Sequence, residues 1–233
     1  MPRIKNNLII AIDGTAGSGK STTAQGAAKK LGFFYLNTGA MYRAITYKIL
    51  KHNVDINNIK ALNELLNSTT IEVKQTKNYK SLIFIDGIDV SQKIQTPEID
   101  AMVSLVSQIP LVRKKMVKEQ RRLAKNRNII VEGRDIGTVV FPNADLKFFI
   151  TCAIDQRTAR RKKQLQKKGR LIPHREIKNN LITRDLLDST RETSPLKCPK
   201  DAICLDTTKL TIKQEIDFVV KMIKNKIDQK SAK

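Results

Sequence analysis

The chain is predicted to be an α/β protein: a five-stranded parallel sheet flanked by helices, a small inserted antiparallel β and helical lobe, and a basic helical lid. Three observations predict this. Short apolar runs alternate with helix-length stretches at both ends of the chain. A glycine-rich turn follows the first of those runs directly. Between residues 70 and 90 three β-type runs follow one another with only turn signals between them. Within the 233 residues, the core takes 1–56 and 127–233, with the lid at about 155–172, and the inserted lobe takes 57–126. That length can bury one core with an added lobe.

Leu8 to Ile12 is short and apolar enough to be one buried strand. It leads into Gly14-Thr15-Ala16-Gly17-Ser18-Gly19-Lys20-Ser21-Thr22, which fits G-x-x-x-x-G-K-[ST] at every fixed position. The glycines let the backbone wrap a polyphosphate, so that successive N–H groups point inward at the positive end of the following helix. Lys20 adds a charge for the outer phosphates, and the Ser21 hydroxyl is suited to a magnesium ion. Helix-compatible Ala24 to Leu31 follows, then a second strand at Phe33 to Leu36, and a helix over Met41 to Leu50. In a parallel sheet, ligands lie beyond the carboxyl ends of the strands, where Thr38 and Arg43 would stand.

Residues Asn57 to Asn67 suit a helix, and Thr70 to Val73, Leu82 to Ile85 and Ile88 to Val90 read as a small antiparallel meander. Thr96-Pro97-Glu98 has the signature of a helix start, and Pro110 opens another helix to about Lys125; Ser104 and Arg113 lie on this pair. Asn128 to Val131 is a third core strand with Glu132-Gly133-Arg134-Asp135 at its carboxyl end. Glu132 is the candidate carboxylate near the metal, directly or through water. Leu146 to Ile150 is the fourth strand. Asp155 to Lys168 is a helix dense in cations, among them Arg157, Arg160 and Arg161, and Gly169-Arg170 breaks it. His174 to Leu187 is helical, with Arg184, Asp188 and Arg191 at helical or near-helical spacing. Ala202 to Leu205 is the fifth strand, Thr211 to Ile227 the last helix, and Gln229 to Lys233 a frayed tail.

The balance of 44 basic against 22 acidic residues gives a formal charge of +22. The lysines are spread along the chain and aromatics are only 5%, so no basic patch interleaved with stacking rings is present, and nucleic acid is not the expected partner. A positive field does draw in anionic substrates. No apolar run is long enough for a membrane span or signal segment, so a cytoplasmic location and no membrane partner are expected. The three cysteines, Cys152, Cys198 and Cys204, form no C-x-x-C pair; they read as small core residues, with neither a disulfide framework nor a zinc site indicated.

With these residues in place, the chain resembles the bacterial cytidylate kinases of the longer type, within the P-loop nucleoside monophosphate kinase family. The resemblance runs from about Leu8 to Val219. It rests on Ile12-Asp13-Gly14 with the glycine-rich loop, on Asn37-Thr38-Gly39-Ala40-Met41-Tyr42-Arg43, on the run from Glu132 to Pro142, and on Arg184 through Arg191. The third block is the most specific. The resemblance implies Mg-dependent transfer of the ATP γ-phosphoryl group to CMP or dCMP by a monomer. It implies that Gly14 to Thr22 bind ATP, that Arg43 and Arg134 grip the acceptor phosphate, and that Ser104 and Arg113 read the cytosine edge. Thr38 and Asp135 match neighbouring acceptor positions, Arg184, Asp188 and Arg191 the trio around sugar and base, and Arg157, Arg160 and Arg161 the closing lid. Thr38 stands where serine is more usual, and Glu132 where a shorter Asp is common; both keep the functional group.

Two rival readings follow from the residues. A P-loop kinase acting on a hydroxyl would recruit Asp135 as its base. A regulatory GTPase binding RNA is suggested by Asn225-Lys226-Ile227-Asp228, which matches N-K-x-D but lies at the end of the last helix with no D-x-x-G before it.

Overall fold

The computed structural model describes residues 7–167 and 169–231. The elements in order are β1 (Ile9–Gly14), α1 (Lys20–Leu31), β2 (Phe34–Asn37), α2 (Thr38–Lys51), α3 (Ile59–Asn67), β3 (Ile71–Gln75), β4 (Ser81–Ile85) and β5 (Ile88–Asp89). They continue with α4 (Pro97–Val106), α5 (Pro110–Ala124), β6 (Ile129–Glu132), β7 (Leu146–Thr151), α6 (Ile154–Gln166), α7 (His174–Thr190), β8 (Ile203–Asp206) and α8 (Ile212–Ser231). Among the described residues, β2-β6-β1-β7-β8 form a five-stranded parallel sheet and β3-β4-β5 a three-stranded antiparallel one.

Residues alternate between the faces of the parallel sheet, and helices cover both, so its strands are apolar on each side. Ala11, Leu36, Ile129 and Val131 point into one core with α2, α3, α4, α5 and the small sheet. Ile10, Ile12, Ile130 and Phe148 point into the other, against α1 and α8. A third, smaller cluster of Ala16, Leu165, Ile177 and Leu181 joins the glycine-rich loop to α6 and α7. The register pairs Ile12 and Asn37 with Glu132, so three carboxyl ends finish side by side. This alignment is what positions the site.

Local chemistry explains the boundaries. Thr96 accepts from Ile99 N at 3.3 Å with Pro97 next to it, the helix start expected from the sequence. Helix α2 begins at Thr38, earlier than expected and with no loop after β2, because the Asn37 side chain accepts from Ala40 N at 2.9 Å. A single π-type turn, Ile136–Val140, follows β6 where no element was expected. It is held by Asp13, whose carboxylate accepts from Ile136 N at 2.9 Å and Gly137 N at 2.7 Å.

Two expectations need correction. The tail expected to fray from Gln229 is helical as far as Ser231, where Lys230 pairs with Asp145 on the sheet side and Ser231 Oγ donates to Ile227 O at 3.1 Å. Of the three cysteines expected in the core, Cys152 is buried but Cys198 and Cys204 are exposed. Cys204 takes an outward position on edge strand β8, and Cys198 lies in the irregular segment before it. Helix α6 ends at Gln166 and Gly169 takes φ +70°; Lys168, counted in the cationic helix, lies outside the described residues, as do Met1–Asn6 and the last two residues of the tail. None of the described helices is long and apolar enough to cross a membrane.

Candidate active site

The site starts at the turn from β1 into α1. A Cβ on Gly14 would lie 2.1 Å from Ile150 O of β7, so only glycine fits this strand end. Gly19 takes φ +100° as the N-cap of α1, a conformation costly for other residues, and it frees the first N–H groups of the helix. Thr15 Oγ1 and Ser18 Oγ are buried there with no partner, which fits a ligand rich in acceptors. Lys20 is buried, with its ammonium donating to Thr15 O at 3.1 Å. Burial, followed by the charge of Arg134, brings its pKa down to about 7, against the pull of Glu132 and Asp188.

Beyond the strand ends lies a cavity of about 640 Å³. Lys20 and Ser21 line its loop side; Thr38, Arg43, Ser104 and Arg113 line it from α2, α4 and α5. Glu132, Arg134 and Asp135 enter from the end of β6, and Arg161, Arg184, Asp188 and Arg191 from the lid side. The cations are held by carboxylates. Arg43 pairs with Asp100, which also stands 3.7 Å from Arg161 and 4.0 Å from Arg170. Arg134 Nε donates to Asp188 at 2.6 Å; burial would raise the Asp188 carboxyl, but Arg134 together with Arg191 and Arg184 holds it low. Arg113 pairs with Asp135, and Arg191 stands 3.7 Å from the same carboxylate. Burial still pushes Asp135 up, against both arginines. Burial and Arg134 also bring Arg184 down to about 10. Thr38 Oγ1 donates to Glu132 O at 2.7 Å, which locks the start of α2 to the end of β6.

Not every expected residue reaches the cavity. Of the stretch Gly14 to Thr22 only Lys20 and Ser21 line it, and of the three lid arginines only Arg161 does. Arg157 is buried behind the loop, donating to Ala16 O at 3.1 Å and pairing with Asp185. Arg160 donates to Ser18 O at 3.2 Å and Thr207 O at 2.9 Å and pairs with Glu215 at 3.1 Å. Both therefore brace the loop backbone. Asn225 to Asp228 lies within α8 and does not line the cavity.

Oxygen donors suited to a hard cation do meet here. Ser21 Oγ donates to Glu132 Oε2 at 2.7 Å, while Tyr35 OH donates to Glu132 Oε1 at 2.6 Å and orients the carboxylate. Among the described residues no group of three or more His, Cys, Asp or Glu side chains forms a metal cage. The pair fits a magnesium ion held mainly by phosphate and water, since that ion dehydrates reluctantly.

Several residues escaped sequence reasoning. Asp185 accepts from Ala16 N at 3.2 Å while pairing with Arg157, so one ion pair grips both polar groups of a loop residue. Glu215 is fully buried and accepts from Thr23 Oγ1 at 2.7 Å. Its signal was available: it is a carboxylate at an apolar-face position of α8, four residues before Val219. Asp185→Asn keeps an acceptor for the amide but leaves the buried Arg157 without its counter-charge. The expected result is a loss of about 2 kcal/mol in denaturant unfolding and a raised KM for ATP. An unchanged KM for ATP would remove Asp185 from the loop's support.

Residues 10–225 match the family model described as Cytidylate kinase. The chain is 45% identical over 215 residues to the cytidylate kinase of Caldanaerobacter subterraneus subsp. tengcongensis, covering 92% of this chain and 94% of the relative. It is 44% identical over 218 residues to that of Fusobacterium nucleatum subsp. nucleatum, with 94% and 98% covered. It is also 44% identical over 214 residues to that of Bacillus cereus, with 92% and 95% covered. Among solved structures, an uncharacterized protein from Eubacterium ventriosum shares the fold with a TM-score of 0.52, at 16% identity and with 94% and 99% covered. A family model matched over residues 10–225 and 44–45% identity to these relatives over nearly the whole of each chain lead to one assignment: the chain belongs to the cytidylate kinase family.

Proposed function

We propose that this chain transfers the γ-phosphoryl group of ATP to CMP or dCMP, giving ADP and CDP or dCDP, and acts as a cytoplasmic monomer with magnesium. The observation that carries the reading is the convergence of Arg43, Arg113, Arg134, Arg161, Arg184 and Arg191 with Lys20 around one cavity. Such a wall suits two phosphorylated substrates. The attacking group is a phosphate oxygen, already anionic near neutral pH, so no general base is needed and the demand is to bring negative charges together.

In this reading the N–H groups from Gly14 to Thr22 hold the ATP phosphates, with Lys20 on the transferred group. Ser21 and Glu132 would hold magnesium, which when bound would supply positive charge against the phosphates. Arg43 and Arg134 turn their forks from Asp100 and Asp188 toward the acceptor phosphate, which they match bidentately. Residues 57–126 act as the acceptor lobe, where Ser104 and Arg113 meet the cytosine edge. Its O2 and N3 accept and its N4 donates, which both side chains can answer. Thr38 and Asp135 complete that pocket, Asp188 accepts from a ribose hydroxyl, and Arg184 and Arg191 flank it. Arg157 and Arg160 keep the loop shaped while Arg161 closes with the lid, excluding water that would compete as acceptor. Asp135, committed to Arg113 and Arg191, is a poor candidate for the base of a hydroxyl kinase.

The test is ADP release with a panel of nucleoside monophosphates and free cytidine, each with ATP and magnesium. CMP and dCMP are turned over and cytidine is not. Turnover of cytidine with CMP untouched would overturn the reading.

A further inference from the structure

Cys198 and Cys204 stand 3.3 Å apart, Sγ to Sγ, and both are free and exposed. The fold brings them together. Cys204 is the second residue of β8, the edge strand of the parallel sheet, and pairs with Phe149 of β7. The chain from Cys198 turns through Pro199 to Ala202, where Ala202 N donates to Pro199 O at 3.1 Å, and returns alongside its own start. A contact made by so short a turn needs no movement of the core. We propose that Cys198 and Cys204 form a reversible thiol–disulfide site at the surface, which takes low-molecular-weight disulfides as its oxidant.

The chemistry balances as an exchange. Cys204, as thiolate, attacks one sulfur of R–S–S–R, making a mixed disulfide and releasing one small thiol. Cys198 then attacks Cys204 Sγ, closing the protein disulfide and releasing the second small thiol. The two cysteine protons end on the two released thiols, and two electrons pass from the protein to the small disulfide. Cys204, outward-facing and exposed on the edge strand, is open to the small disulfide, while burial and the hydrogen bond with Cys204 push the Cys198 thiol up. Bond formation brings the sulfurs to about 2.05 Å, a shift that the turn between them can absorb.

The turn touches the site described above, and its effect on activity rests on the kinase reading. Pro199 Cγ lies 3.2 Å from where a Gly137 Cβ would be, and Gly137 is the residue whose N–H binds Asp13 beneath the loop. After β8 comes Thr207, whose Oγ1 donates to Ser18 O of the loop at 2.8 Å. Tightening the turn pulls on both contacts.

The experiment incubates the full chain with oxidised glutathione, then counts thiols under denaturing conditions and measures intact mass. Wild type is expected to fall from three reactive thiols to one, without a glutathione adduct and without a crosslinked dimer, and to recover with dithiothreitol. Cys198→Ser is expected to stop at a stable glutathione adduct on Cys204. Three thiols remaining, a bond between chains, or loss of Cys152 would each overturn the site. kcat/KM for CMP in the oxidised wild type is expected to fall about threefold, within the range for coupling through packed neighbours, and Cys198→Ser/Cys204→Ser to be insensitive. Loss of the Cys198 and Cys204 thiols with unchanged kcat/KM would overturn the link to the active site while leaving the kinase reading intact.

Discussion

Arg134→Ala is expected to lower kcat/KM for CMP by about 10²- to 10³-fold, the usual cost of losing one preorganised charged donor from a transition-state site. The side chain follows β6 on the wall of the cavity, bonded to Asp188 and near enough to Lys20 for its charge to be felt there. Its fork supplies two parallel hydrogen bonds that lysine cannot imitate, so Arg134→Lys is expected to recover only part of the rate. Folding is affected much less. Asp188 loses its 2.6 Å partner but keeps the charges of Arg184 and Arg191 nearby, and a loss of about 1–2 kcal/mol is expected. Steady-state kinetics with CMP, read beside a denaturant melt, checks both halves. A large fall in stability with near-normal kcat/KM would make Arg134 a structural residue.

Lys20→Met is expected to lower kcat by about 10³-fold while leaving the fold as stable or more so. The contrast with Arg134 follows from electrostatics. Folding buries Lys20 close to Arg134 and lowers its pKa to about 7 from the ordinary 10.5. Between those values the unfolded chain holds a proton that the folded chain refuses, so stability falls as pH drops through that window. Methionine removes the dependence. Melting temperatures of both proteins at pH 7.5 and pH 9.5 check it: the wild type should gain relative to Lys20→Met on going to the higher pH. Parallel behaviour across the two pH values would mean that the lysine is solvated and not buried against the arginine wall.

Much of the site was readable because its signals are local. The loop fits a motif whose every position has a backbone or charge requirement. Thr96-Pro97 starts a helix through its own hydrogen bond, and the acidic and basic residues after β6 follow a buried strand. These properties act over a few residues, so they survive in a linear reading. Asp185, Glu215 and the exposed cysteine pair were not readable in the same way. Asp185 meets Arg157 across 28 residues and Glu215 meets Arg160 across 55, and no periodicity encodes which carboxylate will find which cation.

The amino-acid sequence alone pointed to the α/β class, the glycine-rich loop, the antiparallel strands and most of the arginines that line the cavity, though not Arg170. Tertiary structure alone decided how those arginines are employed. It turned Arg157 and Arg160 onto the loop carbonyls, set Arg43 against Asp100 and Arg134 against Asp188, and brought Cys198 beside Cys204. The reason is physical. Strand and helix formation answer to neighbours within a turn or a pleat, whereas the partner of a buried charge is chosen by whichever opposite group packing delivers within hydrogen-bond reach.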